Sequence, residues 1–325
     1  MRLLVLGGTV FVGHAVAAEA LRRGHEVVCA ARGTSGDVPA GATLAPVERD
    51  VPDGLAALVG ERFDAVVDVA KISYPWVRDA VRTLGPSAAH WTFVSTISVY
   101  AEMDRVSDRL LEPVFEDGRD DLSLYGGIKV ASEQEVGEHL ADRAFIVRPG
   151  LITGPGDGSD RFGYWPGRFA RGGRVLAPAD EGAMTQYIDV RDLADWIVTA
   201  SENRLVGTLD AVGPSRPLAE VLDGIRELVA PAGTEVVPAS SDALLANEVQ
   251  YWAGPRSLPL WLPLEDIGIT SRDPAASVAA GLTFRTFEDE VRGALAEEDR
   301  RGFDRERRAG LTSVQEKEIL DRLQA

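Results

Sequence analysis

The chain has 325 residues, of which 45% are hydrophobic, enough to fill the cores of one large α/β domain and a smaller one. With 51 acidic and 34 basic residues its formal net charge is −17, which excludes a broad surface for a phosphate backbone, so nucleic acid is not an expected partner. A single cysteine, Cys29, excludes an internal disulfide and fits a reducing compartment.

RLLVL at residues 2–6 is too short for the apolar core of a signal peptide, and no run approaches the ~18 apolar residues of a membrane span. The expectation is a cytoplasmic protein without membrane contact. Richness in Ala, Arg and Gly beside only three lysines points to a GC-rich bacterial genome.

In chain order, RLLVL reads as a strand, a glycine turn follows, and HAVAAEALRR (14–23) has helical spacing up to Gly24. HEVVCAA (25–31) completes a βαβ unit of the usual size. TLAPVERD predicts a third strand, FDAVVDVA (63–70) a fourth, WVRDAVRTL (76–84) a helix and HWTFVSTISVY (90–100) a fifth strand. A long helix starts near Tyr125, and RAFIVRPG (143–150) is the next strand. Near-continuous apolar strands alternating with helices predict a Rossmann-type doubly wound parallel sheet.

After Gly150 the chain turns to Gly/Pro/Trp-rich loops, and QYIDVRDLADWIVTA (186–200) reads as a strand entering a helix capped by Asp189 or Asp192. The expected organisation is a dinucleotide-binding domain over 1–150 and 186–212, and a smaller substrate-binding lid over 151–185 and 213–284. A charged helical tail covers 285–325, with Ser313 and Glu316 spaced as a capping box.

Four motifs carry chemistry. In LGGTVFVG, the turn from Gly7, Gly8, Thr9, Val10, Phe11 and Val12 to Gly13 leads into a helix whose free amides and dipole suit a pyrophosphate, although Val10 stands where a middle glycine would fall. The second strand ends CAARGTSG, with Arg32 and no acid from Val27 to Ser35, which favours NADP(H), with NAD(H) the alternative. The plainer reading of Arg32 is a solvated loop residue, and Asp50 is a second candidate for the adenine pocket.

Tyr125 and Lys129 in YGGIK lie four apart, on one face of a helix, where an ammonium lowers a phenol's pKa toward operating pH and fits it for proton exchange. Gly126 and Gly127, poor helix formers, require a positional reason there. FVSTISVY places Thr96, or alternatively Ser95, at the carboxyl end of a strand, where a hydroxyl can polarise a carbonyl oxygen.

GGTxFVG, GHEV, FVSTISVY, YGGIK, IVRPGLITGPGD and QYIDVRDLADWIV follow the order and spacing of the short-chain dehydrogenase/reductase superfamily. The chain resembles its extended, atypical NAD-dependent epimerase/dehydratase branch over roughly residues 1–285. The resemblance implies Tyr125 as catalytic acid/base, Lys129 as holder of the nicotinamide ribose, and Thr96 as the group orienting the reacting oxygen. It further implies that Arg148, Pro149, Gly150 and Leu151 follow a strand beside the nicotinamide and that residues near Gln186 to Asp192 approach the substrate side. In DVAKIS, which departs from the small-residue pattern typical of sugar-nucleotide epimerases, Val69 and Ala70 are cofactor candidates and Lys71 a substrate candidate. Dimerisation through two helices of the main domain is usual among such relatives.

Arg161 and Arg168 can hold an anionic group beside Tyr164 and Trp165, or FGYWPGRF can be a packed segment filling the lid. Four scattered histidines lack ligand spacing, so no metal site is expected. The expected function is an NAD(P)-dependent oxidoreductase, epimerase or dehydratase acting on a small hydroxyl- or carbonyl-bearing metabolite, such as a sugar nucleotide or secondary metabolite. The alternatives are a non-catalytic dinucleotide sensor, which has no chemical need of Thr96, Tyr125 and Lys129, and an RNA-binding relative, which the net charge opposes.

Overall fold

The computed structural model describes residues 1–324. Seven parallel strands form the main sheet: β1 (Arg2–Leu6), β2 (Glu26–Ala31), β3 (Thr43–Pro46), β4 (Ala65–Asp68), β5 (Trp91–Val94), β6 (Ala144–Pro149) and β11 (Gly207–Ala211). Their spatial order is β11-β6-β5-β4-β1-β2-β3, so the winding reverses between β1 and β4. The carboxyl ends of strands at such a reversal are where open α/β sheets take ligands.

The apolar runs follow from burial on both faces. Leu3, Val5, Val27, Cys29, Ala65 and Val67 point to one side, under α1 (Phe11–Arg22) and α5 (Val190–Asn203). Leu4, Leu6, Val28, Ala30 and Val66 point to the other, under α2 (Tyr74–Leu84) and α3 (Tyr125–Leu140). Period-2 alternation within an all-apolar strand feeds two cores at once.

β5 is shorter than its sequence suggests. The chain leaves the sheet after Val94 because the Thr96 hydroxyl accepts the Ser98 N–H and caps a short turn at Ile97–Val99. Asp189 caps α5 by accepting the Arg191 N–H at 2.8 Å. Asp192, the other expected cap, accepts instead from the Arg285 backbone N–H at 3.0 Å.

A second core lies beyond the sheet. β7 (Leu151–Thr153) pairs with β10 (Tyr187–Asp189), β8 (Arg174–Pro178) with β13 (Glu235–Ala239), and β9 (Met184–Thr185) with β12 (Arg216–Pro217). Around them pack α4 (Arg161–Ala170), α6 (Leu218–Val229), the short helices α7 (Ser241–Ala246), α8 (Ile267–Thr270) and α9 (Ala275–Ala279), then α10 (Phe287–Arg301) and α11 (Ser313–Arg322). Phe162, Trp165, Leu176 and Trp261 meet Val291 and Ile319 of the last two helices there.

The capping box of α11 is one residue earlier than its sequence spacing suggests: Thr312 and Gln315 form it, not Ser313 and Glu316. Glu316 points inward, accepting from Arg168 Nε at 2.6 Å and from the Leu176 N–H at 3.0 Å. No helix among the described residues is long and apolar enough to cross a membrane.

Candidate cofactor and active site

At the reversal, β1 enters its turn at Gly7, whose φ of +97° suits glycine. A Cβ on Gly8 would lie 2.5 Å from Cys29 Sγ, and one on Gly13 would lie 2.2 Å from the Gly7 carbonyl oxygen. Only bare backbone lets α1 start this close to β1 and β2, with its first amides at the carboxyl edge of the sheet. Those glycines fit a dinucleotide pyrophosphate. Cys29 is thereby sealed beneath the turn, and burial pushes its thiol up to about 11.

Val10 occupies the N-cap of α1 in an extended conformation, half exposed and without a side-chain cap bond. It therefore leaves the turn open. Phe11 takes a positive φ of 39° and lies against Gly156 of the loop after β7. Thr9 is buried, while Val12 packs partly against the core under α1.

Arg32, just past the end of β2, is exposed and has no hydrogen-bond or ion-pair partner among the described residues. Asp50, the other residue expected near the adenine, is committed elsewhere. One carboxylate oxygen accepts from Trp76 Nε1 at 2.8 Å and the other from Arg119 at 2.7 Å, beside a cavity of about 650 Å³ on the α2 side.

The residues expected to handle the proton gather at the carboxyl ends of β4 and β5. Tyr125 opens α3, and one turn later Lys129 is buried with its Nζ 6.0 Å from the tyrosine ring centroid. The ammonium donates to the carbonyls of Ala70 and Val94, both at 2.6 Å. Gly126 and Gly127 have a positional reason: a Cβ on the first would lie 2.3 Å from Ser98 O, and on the second 2.6 Å from Val114 Cγ2. Without side chains there, the segment from β5 to α3 can press onto the first turn of the helix.

The Thr96 hydroxyl donates to Ser98 Oγ at 3.2 Å and lies near enough to Tyr125 to favour the ionised phenol. Ser95 does not share that role, because its hydroxyl donates to buried Glu133 at 2.5 Å, and Glu133 in turn pairs with Arg148 at 2.6 Å. This buried Ser95–Glu133–Arg148 group was not legible in sequence. Its only trace is that Glu133 continues the Tyr125/Lys129 spacing by one more turn.

The electrostatics correct one expectation. Burial raises the Tyr125 pKa above its ordinary value of 10, opposed by the nearby Thr96 hydroxyl and the positive charge of Arg161. Burial also pulls the Lys129 ammonium down to about 7, against the attraction of Asp68 and Glu133 and with the help of repulsion from Arg49 and Lys71. The lysine, itself short of water, does not depress the phenol.

The flanks sort the remaining residues. Val69 contacts the glycine turn, Pro149 and Leu151 are buried at the exit of β6, and Gly150 donates to the Ala211 carbonyl. Lys71, past β4, is exposed with no partner among the described residues. Arg161 reaches the neighbourhood of Tyr125. Four expected substrate contacts are instead structural. Tyr164 and Trp165 are fully buried in the second core, with Trp165 Nε1 bonded to Pro259 O. Arg168 is spent on Glu316 and two carbonyls, and Gln186 is saturated by Gly213 O and both backbone groups of Arg272.

Residues 3–80 match the model of the NAD dependent epimerase/dehydratase family. This part of the chain is similar to that family. The 2′-dehydrokanamycin reductase of Streptomyces kanamyceticus is 27% identical over 286 residues, covering 84% of this chain and 78% of the reductase. The fold as a whole is that of epimerases of this type. WbmH of Bordetella bronchiseptica, solved in complex with NAD+, superposes with a TM-score of 0.65 at 17% identity, over 92% of this chain and 98% of that one. The UDP-glucose 4-epimerase of Thermus thermophilus, solved with NAD, gives 0.62 at 19% identity, over 91% and 98%. The glycine turn and β1 to β4 lie within the matched epimerase/dehydratase segment, whereas Tyr125 and Lys129 lie beyond it.

Proposed function

We propose that this protein is an NADP(H)-dependent oxidoreductase, reducing or oxidising a small hydroxyl- or carbonyl-bearing metabolite with Tyr125 as the proton donor and acceptor. The observation that carries the reading is the placement of Tyr125 over Lys129, with Thr96 close by, at the carboxyl edge of β4 and β5, next to the glycine turn. When bound, the nicotinamide supplies or accepts the hydride.

The side chains do the rest. Tyr125 holds a proton at its phenolic oxygen, and a raised pKa keeps it there at neutral pH until the substrate oxygen takes up charge. Thr96 donates to the same substrate oxygen and keeps it within reach of the phenol. Lys129, fixed by two strand-end carbonyls, braces the floor beneath that pair. The preference for NADP(H) is supported by the unpartnered Arg32 at the end of β2 and by the commitment of Asp50 to Trp76 and Arg119.

The test is to titrate NADPH and NADH by calorimetry and then follow oxidation of the bound nucleotide by its near-ultraviolet absorbance. The panel of carbonyl compounds includes 2′-dehydrokanamycin and oxidised sugar nucleotides. Binding of NADPH at least tenfold tighter than NADH, with turnover on at least one compound, is the expected result. A Tyr125→Phe protein with unimpaired turnover would overturn the assignment of the proton.

A further inference from the structure

Arg161 is unusual for its surroundings. In a chain with 51 acidic residues, it has no ion-pair partner among the described residues. Its one side-chain bond is from Nε to Ser159 Oγ at 3.2 Å, leaving both terminal nitrogens free of protein acceptors among the described residues. The nearby carboxylates are occupied. Asp160, the preceding residue, accepts from Arg301 at 2.9 Å, from Arg305 at 2.5 Å and from the Arg308 N–H at 2.8 Å. Asp157 accepts from the Ser159 N–H at 2.7 Å and from its hydroxyl at 3.0 Å.

The guanidinium is also held in place from the lid. Its carbon lies 4.8 Å from the centroid of the Trp252 ring. Trp252 keeps that position with a φ of 64°, a left-handed backbone that a bulky side chain adopts only where its surroundings impose it. The guanidinium thus lies over an aromatic ring with both terminal nitrogens unbonded to protein acceptors among the described residues, and such a fork can receive a carboxylate or phosphate with two parallel bonds.

We infer that Arg161, backed by Trp252, is the substrate-anion site of the cleft, and that the metabolite handled at Tyr125 carries a carboxylate or phosphate beside its reacting carbon chain. The inference rests on the oxidoreductase reading for the reaction, and on the open fork alone for the anion. Lys71, exposed past β4 and without a partner among the described residues, adds positive potential near Lys129. The position of Arg161 was visible in sequence. That its neighbour Asp160 is diverted to the C-terminal segment was not.

Glucuronate, glucose 6-phosphate and glucose share a ring and differ in the anion, so calorimetric titration of the full-length protein with each, with and without NADPH, separates carboxylate from phosphate and both from the uncharged ring. Wild type should bind at least one of the two anions, and bind it at least tenfold more tightly than glucose. Arg161→Met should abolish that difference while leaving NADPH affinity within twofold, and Arg161→Lys should restore part of it. Equal binding of the charged and neutral sugars by wild type, no binding of either anion, or an unchanged anion preference in Arg161→Met would each overturn the inference. Failure of the nucleotide to bind would instead strike the oxidoreductase reading, because the titrations without NADPH still report on Arg161.

Discussion

Ser95 Oγ donates to Glu133 at 2.5 Å, whereas the adjacent Thr96 hydroxyl donates to Ser98 Oγ at 3.2 Å, close to Tyr125. Two neighbouring hydroxyls that look interchangeable in sequence are separated by the pleat, one turned to a buried carboxylate and one to the cleft. Thr96→Val should therefore lower kcat by about 10²–10³-fold, the usual effect of removing one donor to a developing oxyanion, with the nucleotide Kd unchanged. Ser95→Ala should keep kcat within a few-fold and cost about 1.5–3 kcal/mol in urea unfolding, since it removes a hydrogen bond to a charged group.

The Lys129 ammonium makes a pH prediction whose sign follows from proton counting. Its pKa is about 7 in the folded protein, well below that of an exposed lysine, so above pH 7 the unfolded chain binds the extra proton. Stability from this group is present above the unfolded value near 10.4 and is lost as pH falls toward 7. Without added nucleotide, the unfolding free energy of wild type relative to Lys129→Met should rise between pH 7 and 10. Parallel curves for the two proteins over that range would show that the lysine is not depressed.

The glycine turn separates a steric requirement from an incidental residue. Gly13→Ala places a methyl 2.2 Å from Gly7 O, and the backbone has no room to yield without moving α1 off the sheet. Nucleotide affinity should fall at least tenfold, about 1.4 kcal/mol or more. Val10 is half exposed at the N-cap with no cap bond, so Val10→Gly should leave affinity similar or tighter, and Val10→Ser should stabilise the protein by about 1 kcal/mol through the missing cap. Calorimetry and thermal unfolding read both.

Asp160 is the knot between the cleft and the C-terminal segment. Its buried carboxylate receives two arginines and a backbone N–H from residues 301–308, with Glu298 joining Arg305 and Arg307 alongside. Removing one partner from a buried pair leaves an uncompensated charge, so Asp160→Ala should cost about 3–5 kcal/mol in denaturant unfolding. A truncation before Arg301 should lose comparable stability.

The sequence by itself determined the six sheet strands β1 to β6, the order of their elements and the candidate chemistry, but not the edge strand β11. These depend on local signals: apolar strands that must bury both faces, glycines at a strand-to-helix turn, and a four-residue spacing that aligns Tyr125 with Lys129 on any helix. Contacts between distant segments left little or no such trace. Only the tertiary structure decided that Ser95 belongs to Glu133, that Asp50 serves Trp76 and Arg119, and that Arg168, Tyr164 and Trp165 are packed while Arg161 stays open. The physical reason is competition for partners. A carboxylate satisfies the cations that the fold brings nearest, and Asp160 turns to arginines more than 140 residues away instead of to its neighbour Arg161.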